Sequence, residues 1–161
     1  VHTGFPGGSM NSTTRGIISR ANGPVGPTAI MDTIITRTLG NATDFGDFIS
    51  GTGGSASGGV CNATRGIFAG GGIHNIIQFI TMATLGDAQD FGDLTENKGT
   101  VRGASSKTRG LFVSGTTPTG VNTIESVQIA TTGNAADFGD MAYLGGDVSQ
   151  NTCNSNAHGG I

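Results

Sequence analysis

The sequence predicts an all-β protein built from tandem repeats, and three observations support this prediction. The tetrapeptide Asp-Phe-Gly-Asp occurs three times, at residues 44–47, 90–93 and 137–140. A second marker, Thr-Arg-Gly followed by two apolar residues, recurs in phase with it at residues 14–16, 64–66 and 108–110. The 161 residues also include 30 glycines, which disfavour helix, and no sustained helical spacing of apolar residues. Such a repeat period is typical of solenoids, propellers and arrays.

The two markers divide the chain into three repeat units in a single repeat domain. The units span residues 14–63, 64–107 and 108–156, with partial end units at residues 1–13 and 157–161. A degenerate fourth Thr-Arg-Gly marker lies at residues 158–160, so the chain begins and ends in the same phase. A strand left over at one end can complete the sheet of a neighbouring chain. The sequence therefore predicts a homo-oligomer, either a closed ring or an open array.

One unit is expected to contain four strands, and residues 64–106 illustrate it best. The first two strands are predicted at residues 66–69 and 76–82, separated by three glycines. Residues 85–88 form a predicted tight turn, because Gly beside Asn or Asp adopts positive φ at low cost. A short third strand or corner follows at residues 90–94, and a weakly apolar stretch at residues 101–104 leads to the next marker.

The recurring side chains are expected to hold the repeats together. Phe45, Phe91 and Phe138 are the candidate core anchors of the three units, each able to bury on the order of 150 to 250 Å². Asp44, Asp90 and Asp137 are expected to accept backbone N–H bonds at turns, and Asp47, Asp93 and Asp140 to pair with Arg15, Arg65 and Arg109. The alternative is that these six aspartates are calcium ligands, although the dense aspartate ladder of known calcium repeats is missing.

Several enzyme classes do not fit the sequence, and we expect neither catalysis nor a cofactor. Asp-Phe-Gly also occurs in protein kinases, but no catalytic His-Arg-Asp loop accompanies it here. The glycines at residues 70–72 precede neither a Lys nor a helix, so they do not form a phosphate loop. His2, His74 and His158 lack the spacing of metal ligands, and no nucleophile elbow is present.

Composition also limits the partners. The formal net charge is −3 and only 8 residues are Lys or Arg, which argues against nucleic acid. No apolar run approaches the length of a membrane span and no signal peptide opens the chain, so we expect no membrane insertion.

Disorder is the competing interpretation of the high glycine content, but the regular blocks of Ile, Val and Phe favour packed strands. Cys61 and Cys153 occupy matching repeat positions, which Asn11 and Ser105 fill elsewhere. Because such positions usually lie far apart, we expect buried thiols rather than a disulfide, unless the two units are neighbours or belong to different chains.

A binding function would be placed in the variable loops, at residues 21–29, 51–59, 95–100 and 116–122. These loops are rich in Gly, Thr and Pro, and Tyr143 is the only tyrosine, whereas sugar sites usually offer an aromatic platform. Glycan binding therefore stays an alternative. The Asn-x-Thr triplets at Asn11, Asn41 and Asn62 matter only in a secreted eukaryotic protein.

The combination of Thr-Arg-Gly, an Ile-rich strand, Gly-Asn-Ala and Asp-Phe-Gly-Asp resembles repeats in virion proteins of marine and cyanobacterial tailed bacteriophages. Those repeats are similar to Kelch units, which form four-stranded propeller blades of roughly 50 residues. The resemblance covers nearly the whole chain. It implies Kelch-like β units in a propeller or stacked-sheet array that oligomerisation completes. The implied function is a tail, fibre or capsid-decoration protein on the virion surface, with other virion proteins and possible host glycans as partners; a bacterial extracellular filament or adhesin is the alternative.

Overall fold

Twelve β-strands form three four-stranded antiparallel sheets in the described part of the chain. The computed structural model describes residues 7–19, 29–49, 57–142 and 153, and these residues contain no helix. Sheet I contains β1 (Ser9–Asn11), β2 (Arg15–Ser19), β3 (Ile30–Ile35) and β4 (Thr43–Asp47). Sheet II contains β5 (Ser57–Cys61), β6 (Arg65–Gly70), β7 (His74–Thr81) and β8 (Gln89–Lys98). Sheet III contains β9 (Arg102–Ser105), β10 (Arg109–Thr117), β11 (Thr119–Gln128) and β12 (Ala136–Asp140).

The predicted all-β fold of repeated four-stranded sheets is therefore confirmed. Within each sheet the strands lie in chain order, so every hydrogen-bonded neighbour is also a neighbour in sequence. The described residues do not close into a barrel or a propeller. Most of the predicted end strand and the whole degenerate marker at residues 158–160 lie outside the described residues.

A polar side chain closes the turn before each Thr-Arg-Gly marker. Asn62 Oδ1 accepts hydrogen bonds from the N–H groups of Thr64 and Arg65, at 2.9 and 2.8 Å. Ser12 and Ser106 occupy the same place in the other sheets, and each hydroxyl accepts the N–H two and three residues ahead. Side chains of this type stabilise tight turns by replacing a backbone acceptor. The marker therefore stands where the chain leaves a turn and begins the second strand of its sheet.

The sheets are shifted by one strand relative to the predicted units. The stretch around residues 101–104 was expected to end the unit of residues 64–106, but β9 pairs with β10 and is the first strand of sheet III. The Asp-Phe-Gly-Asp segments lie in the last strand of each sheet rather than at a corner. Of the predicted variable loops, residues 95–98 belong to β8, and residues 116–122 belong to the β10–β11 hairpin.

The sheets stack face to face in chain order, with one hydrophobic core at each of the two junctions. We call the face of a sheet that looks toward the next sheet its downstream face, and the opposite face its upstream face. At the junction of sheets I and II, Ile17, Met31 and Phe45 from the downstream face pack on Phe68 and Ile80. Junction II–III repeats this with the equivalent residues Ile67, Ile77 and Phe91 on Phe112 and Val127. Because successive side chains of a strand point to opposite faces, sheet II contributes to both cores.

Candidate functional site

The recurring residues of the repeat gather at the junctions between sheets. At junction I–II, the carbonyl oxygens of Phe45 and Asp47 accept hydrogen bonds from the N–H groups of Gly86 and Ala88, both at 2.8 Å. The N–H of Asp47 donates to Asp87 Oδ1 at 2.9 Å. The last strand of one sheet is therefore bonded to the turn before the last strand of the next sheet.

Junction II–III has the same bonds between equivalent residues. The carbonyl oxygens of Phe91 and Asp93 accept from the N–H groups of Gly133 and Ala135, at 2.7 and 2.8 Å. The N–H of Asp93 donates to Asn134 Oδ1 at 3.1 Å. Asp and Asn both offer the required oxygen, which explains why either residue serves at this place. The predicted tight turn of Gly with Asn or Asp is thus an intersheet contact as well as a connection.

The marker arginines reach across the junctions to main-chain carbonyls. Arg15 Nη1 donates to Met82 O and Arg65 Nη1 donates to Ile129 O, both at 3.0 Å. Each guanidinium also lies over a phenylalanine ring, with Arg65 at 4.4 Å from the centroid of Phe79. The predicted pairing of these arginines with the aspartates is therefore wrong. The planar guanidinium group of arginine suits both contacts, because it donates hydrogen bonds at its edge and stacks on aromatic rings with its face.

Phe45 and Phe91 are core residues, whereas Phe138 is not. The exposed fractions of Phe45 and Phe91 are 2% and 3%, and that of Phe138 is 51%. Phe45 and Phe91 are covered by the sheet that follows them, and no described sheet follows sheet III. Arg109 is exposed for the same reason, and its guanidinium lies 5.7 Å from the Phe138 ring centroid. The prediction of three equivalent core anchors thus holds for two of them.

Glycine at the third position of Asp-Phe-Gly-Asp allows the backbones to meet. A Cβ atom on Gly92 would lie 2.5 Å from Gly133 O, and one on Gly46 would overlap Gly86 O. Real Cβ atoms do not approach an oxygen so closely, so a larger residue would force the sheets apart. The first strands also approach closely, because a Cβ on Gly59 would lie 3.0 Å from Ser9 O.

In sheets II and III, a polar side chain of the third strand accepts a hydrogen bond from the preceding sheet. The donor is an N–H group just after the Asp-Phe-Gly-Asp tetrapeptide of that preceding sheet. Ile49 N–H donates to Gln78 Oε1 at 2.9 Å, and Thr95 N–H donates to Glu125 Oε1 at 2.6 Å. Glu125 also forms an ion pair with Lys98, and both side chains are almost completely buried. Lys98 Nζ donates to Thr123 Oγ1 at 2.8 Å as well. Sequence reasoning missed these residues; the signal was a polar residue at the same place in two Ile-rich strands.

The tetrapeptide aspartates agree with the prediction only in part. Asp137 Oδ1 accepts a hydrogen bond from Gly139 N–H at 3.1 Å, which agrees with a local acceptor role. The side chains that accept the N–H bonds of Asp47 and Asp93 across the junctions are Asp87 and Asn134, outside the tetrapeptide. Within the described ranges no group of three His, Cys, Asp or Glu side chains could hold a metal ion. The calcium alternative for Asp44, Asp47, Asp90, Asp93, Asp137 and Asp140 therefore finds no gathered ligand set among these residues.

The equivalent positions of Asn11, Cys61 and Ser105 lie next to one another, contrary to expectation. Cys61 Sγ donates to Asn11 O at 3.2 Å, and Ser105 Oγ donates to Cys61 O at 3.0 Å. The first strands of the three sheets are neighbours, so residues at the same repeat position meet. Cys61 and Cys153 are free thiols, and burial raises the pKa of both.

The other candidate residues take no part in these contacts or lie outside the described part of the chain. His74 begins β7, while His2, His158 and Tyr143 lie outside the described residues, as do residues 21–28 and 50–56 of the predicted loops. No segment among the described residues is a helix long and apolar enough to cross a membrane.

The geometry joins sheets through main-chain bonds, arginine side chains and closely approaching glycines. The main-chain bonds and the arginine bonds occur at equivalent positions of both junctions. No protein-family model matches this chain, and no curated protein has significant sequence similarity to it.

Proposed function

We propose that this chain is a structural component of a bacteriophage virion that acts by stacking β-sheets and displaying their loops, not by catalysis. The observation that carries this proposal is the use of the recurring residues: in sheets I and II the marker Arg and the Phe and Gly of Asp-Phe-Gly-Asp all contact the following sheet. Residues repeated for chemistry would instead converge on one pocket. Residues repeated for assembly recur once per junction, as these do.

The resemblance to repeats of tailed-phage virion proteins gives the proposal its biological setting. The four-stranded sheets agree in strand number with Kelch-like propeller blades. On this proposal the chain belongs to the particle surface, and other virion proteins and further copies of the chain are its partners.

Immunogold electron microscopy of particles from the source of the sequence tests this function. Antibodies raised against the purified chain should label fixed sites on the tail, fibre or capsid of phage particles. Labelling of free fibres without capsids would instead support a bacterial extracellular filament. Phage particles from that source that carry no label and lack this chain by mass spectrometry would contradict the proposal.

A further inference from the structure

The two outer sheets of the stack each present a face that is covered in the interior of the molecule. On the downstream face of sheet III, the positions equivalent to the buried Phe45, Ile17 and Met31 are Phe138, Leu111 and Ile124. Phe138 is half exposed, and Leu111 and Ile124 are only partly buried. We call these three residues together with Arg109 the downstream end surface.

The upstream face of sheet I shows the complementary change. Ile18 takes the place that Phe68 and Phe112 take in the other sheets, and its exposed fraction is 41% where both phenylalanines are fully buried. Ile34 takes the place of Ile80 and Val127, and its exposed fraction is 36%. We call Ile18 and Ile34, together with residues 36–42, the upstream end surface.

The polar groups of the internal junctions also recur on the upstream end surface. Gly40, Asn41 and Ala42 stand where Gly86, Asp87 and Ala88 bond to the preceding sheet. Ala42 is exposed, whereas the equivalent Ala88 and Ala135 are buried at the internal junctions. Asn41 is the same residue type as Asn134, which accepts the intersheet bond at junction II–III.

We propose that the downstream end surface of one copy of this chain binds the upstream end surface of a second copy, in the register of the internal junctions. This inference rests on the proposed function, since it names the partner through which the chain assembles. In this contact Gly40 N–H and Ala42 N–H donate to Phe138 O and Asp140 O of the second copy. Asp140 N–H donates to Asn41 Oδ1, and Arg109 donates to the carbonyl of Thr36.

The second copy is the occupant because the chain itself carries both halves of the contact. Each half already has a matching half inside the same molecule, seen at two junctions with the same hydrogen bonds. A contact between unlike surfaces of identical chains is heterologous, so it does not bring either surface against itself. The burial of Phe138, Ile18 and Ile34 supplies apolar area, while main-chain bonds fix the register.

Mixed cross-linking tests the register. In a background with Cys61→Ser and Cys153→Ser, one protein carries Asn41→Cys and another carries Asp140→Cys. A short bis-maleimide should join them into a two-chain adduct that contains one of each, as identified by mass spectrometry. Neither protein alone should form an adduct. Asp87→Cys mixed with Asp140→Cys is the matched control and should give no adduct. Asp87 lies in the equivalent turn of sheet II, but it already bonds to Asp47 of its own chain.

Light scattering of the same proteins distinguishes failure of this inference from failure of the proposed function. Phe138→Ser should weaken self-association at least about tenfold, since a large aromatic at the centre of a contact contributes strongly. Leu85→Ser, which alters an exposed residue of the internal sheet, should leave association unchanged. A chain that is monomeric at all concentrations overturns the inference. So does one that assembles without the Asn41–Asp140 adduct, although such assembly would leave the virion function standing.

Discussion

Gly92 and Gly139 occupy the same position in two copies of one tetrapeptide, yet their surroundings differ. Both have positive φ, 147° and 137°. An added Cβ on Gly92 would collide with Gly133 O, whereas one on Gly139 would meet nothing within 4 Å. Alanine at either position has the same backbone strain, so the difference between the two substitutions isolates the close approach of the sheets.

Gly92→Ala should therefore destabilise the chain more than Gly139→Ala. We expect an additional loss of about 1 to 3 kcal/mol in the free energy of unfolding, which is the usual cost of overpacking a tight contact. Urea denaturation at a concentration where the chain is monomeric measures both variants. Equal losses would show that sheets II and III do not approach as closely as described.

Cys61 provides a test of burial at the same scale. Burial raises the pKa of this thiol, so the folded state favours the protonated form. The free energy of unfolding contributed by this group is then fully present below the pKa of an unfolded cysteine, about 8.5, and is lost as the pH rises through the higher folded value. In a Cys153→Ser background, stability should fall more steeply with alkaline pH in the protein that has Cys61 than in its Cys61→Ser variant.

The control for this prediction is chemical accessibility. In the native protein at neutral pH, iodoacetamide should modify Cys153, which is half-buried, before Cys61, which is buried. Ser105 already occupies the position of Cys61 in the next sheet, so serine is expected to fit there. Parallel pH profiles of the two proteins would contradict a buried thiol at residue 61.

At the scale of the strand, the sequence predicted the Ile-rich strands and the strands that begin at the Thr-Arg-Gly markers. It did not predict which strand begins each sheet. The marker strands contain adjacent apolar residues, such as Ile67 and Phe68, that must be covered on both faces. The first strands, such as β5 with Ser57, Gly58 and Gly59, have too few apolar side chains to indicate which neighbour they pair with. Their partner is set by the turn at Asn62, whose side chain directs the chain back along β6.

The ion pair of Lys98 and Glu125 distinguishes junction II–III from junction I–II, where the neutral Gln78 has the place of Glu125. Lys98→Met should cost about 3 to 5 kcal/mol in unfolding free energy, because it leaves the carboxylate of Glu125 buried without its cation. The double variant Lys98→Met with Glu125→Gln should recover most of this loss, because Gln repeats the neutral contact of junction I–II. Denaturation of the wild type, the two single variants and the double variant measures the coupling.

Glu125→Gln alone completes that cycle. It retains the acceptor for Thr95 N–H but leaves Lys98 buried without its partner, so we expect it to be less stable than the double variant. Additive effects of the two single changes would contradict a coupled buried pair at this junction.

At the scale of the whole molecule, the proposed contact between end surfaces would limit how many chains form a closed assembly. The described part of one chain has three sheets, whereas β-propellers typically have 4 to 8 blades of one sheet each. Two chains would give twice three sheets, which falls within that range, and three chains would exceed it. We expect light scattering to give a mass twice that of the 16.1 kDa chain, and Phe138→Ser to give the mass of one chain. A mass that keeps rising with concentration would indicate an open fibre in place of a closed pair.

Phe138 shows why sequence could not predict the ends of the molecule. Its tetrapeptide is identical to those of Phe45 and Phe91, and all three lie at the same place in a sheet. Burial of this position depends on whether another sheet follows, which is a property of the assembly and not of the local residues. The predicted pairing of Arg15 and Arg65 with aspartates failed for a similar reason, since their acceptors are main-chain carbonyls, which any residue type provides.

The consecutive order of strands within each sheet affects how the chain folds during synthesis. All four strands of sheet I have been synthesised once Asp47 has left the ribosome, and none of them pairs with a strand of sheet II. Its downstream face, with Ile17, Met31 and Phe45, then stays in water until β6 and β7 are made. Domains that form from local pairings fold rapidly, and apolar faces that wait for a partner are prone to aggregate. Translation speed between residues 47 and 81 therefore sets the time for which the first core is unprotected.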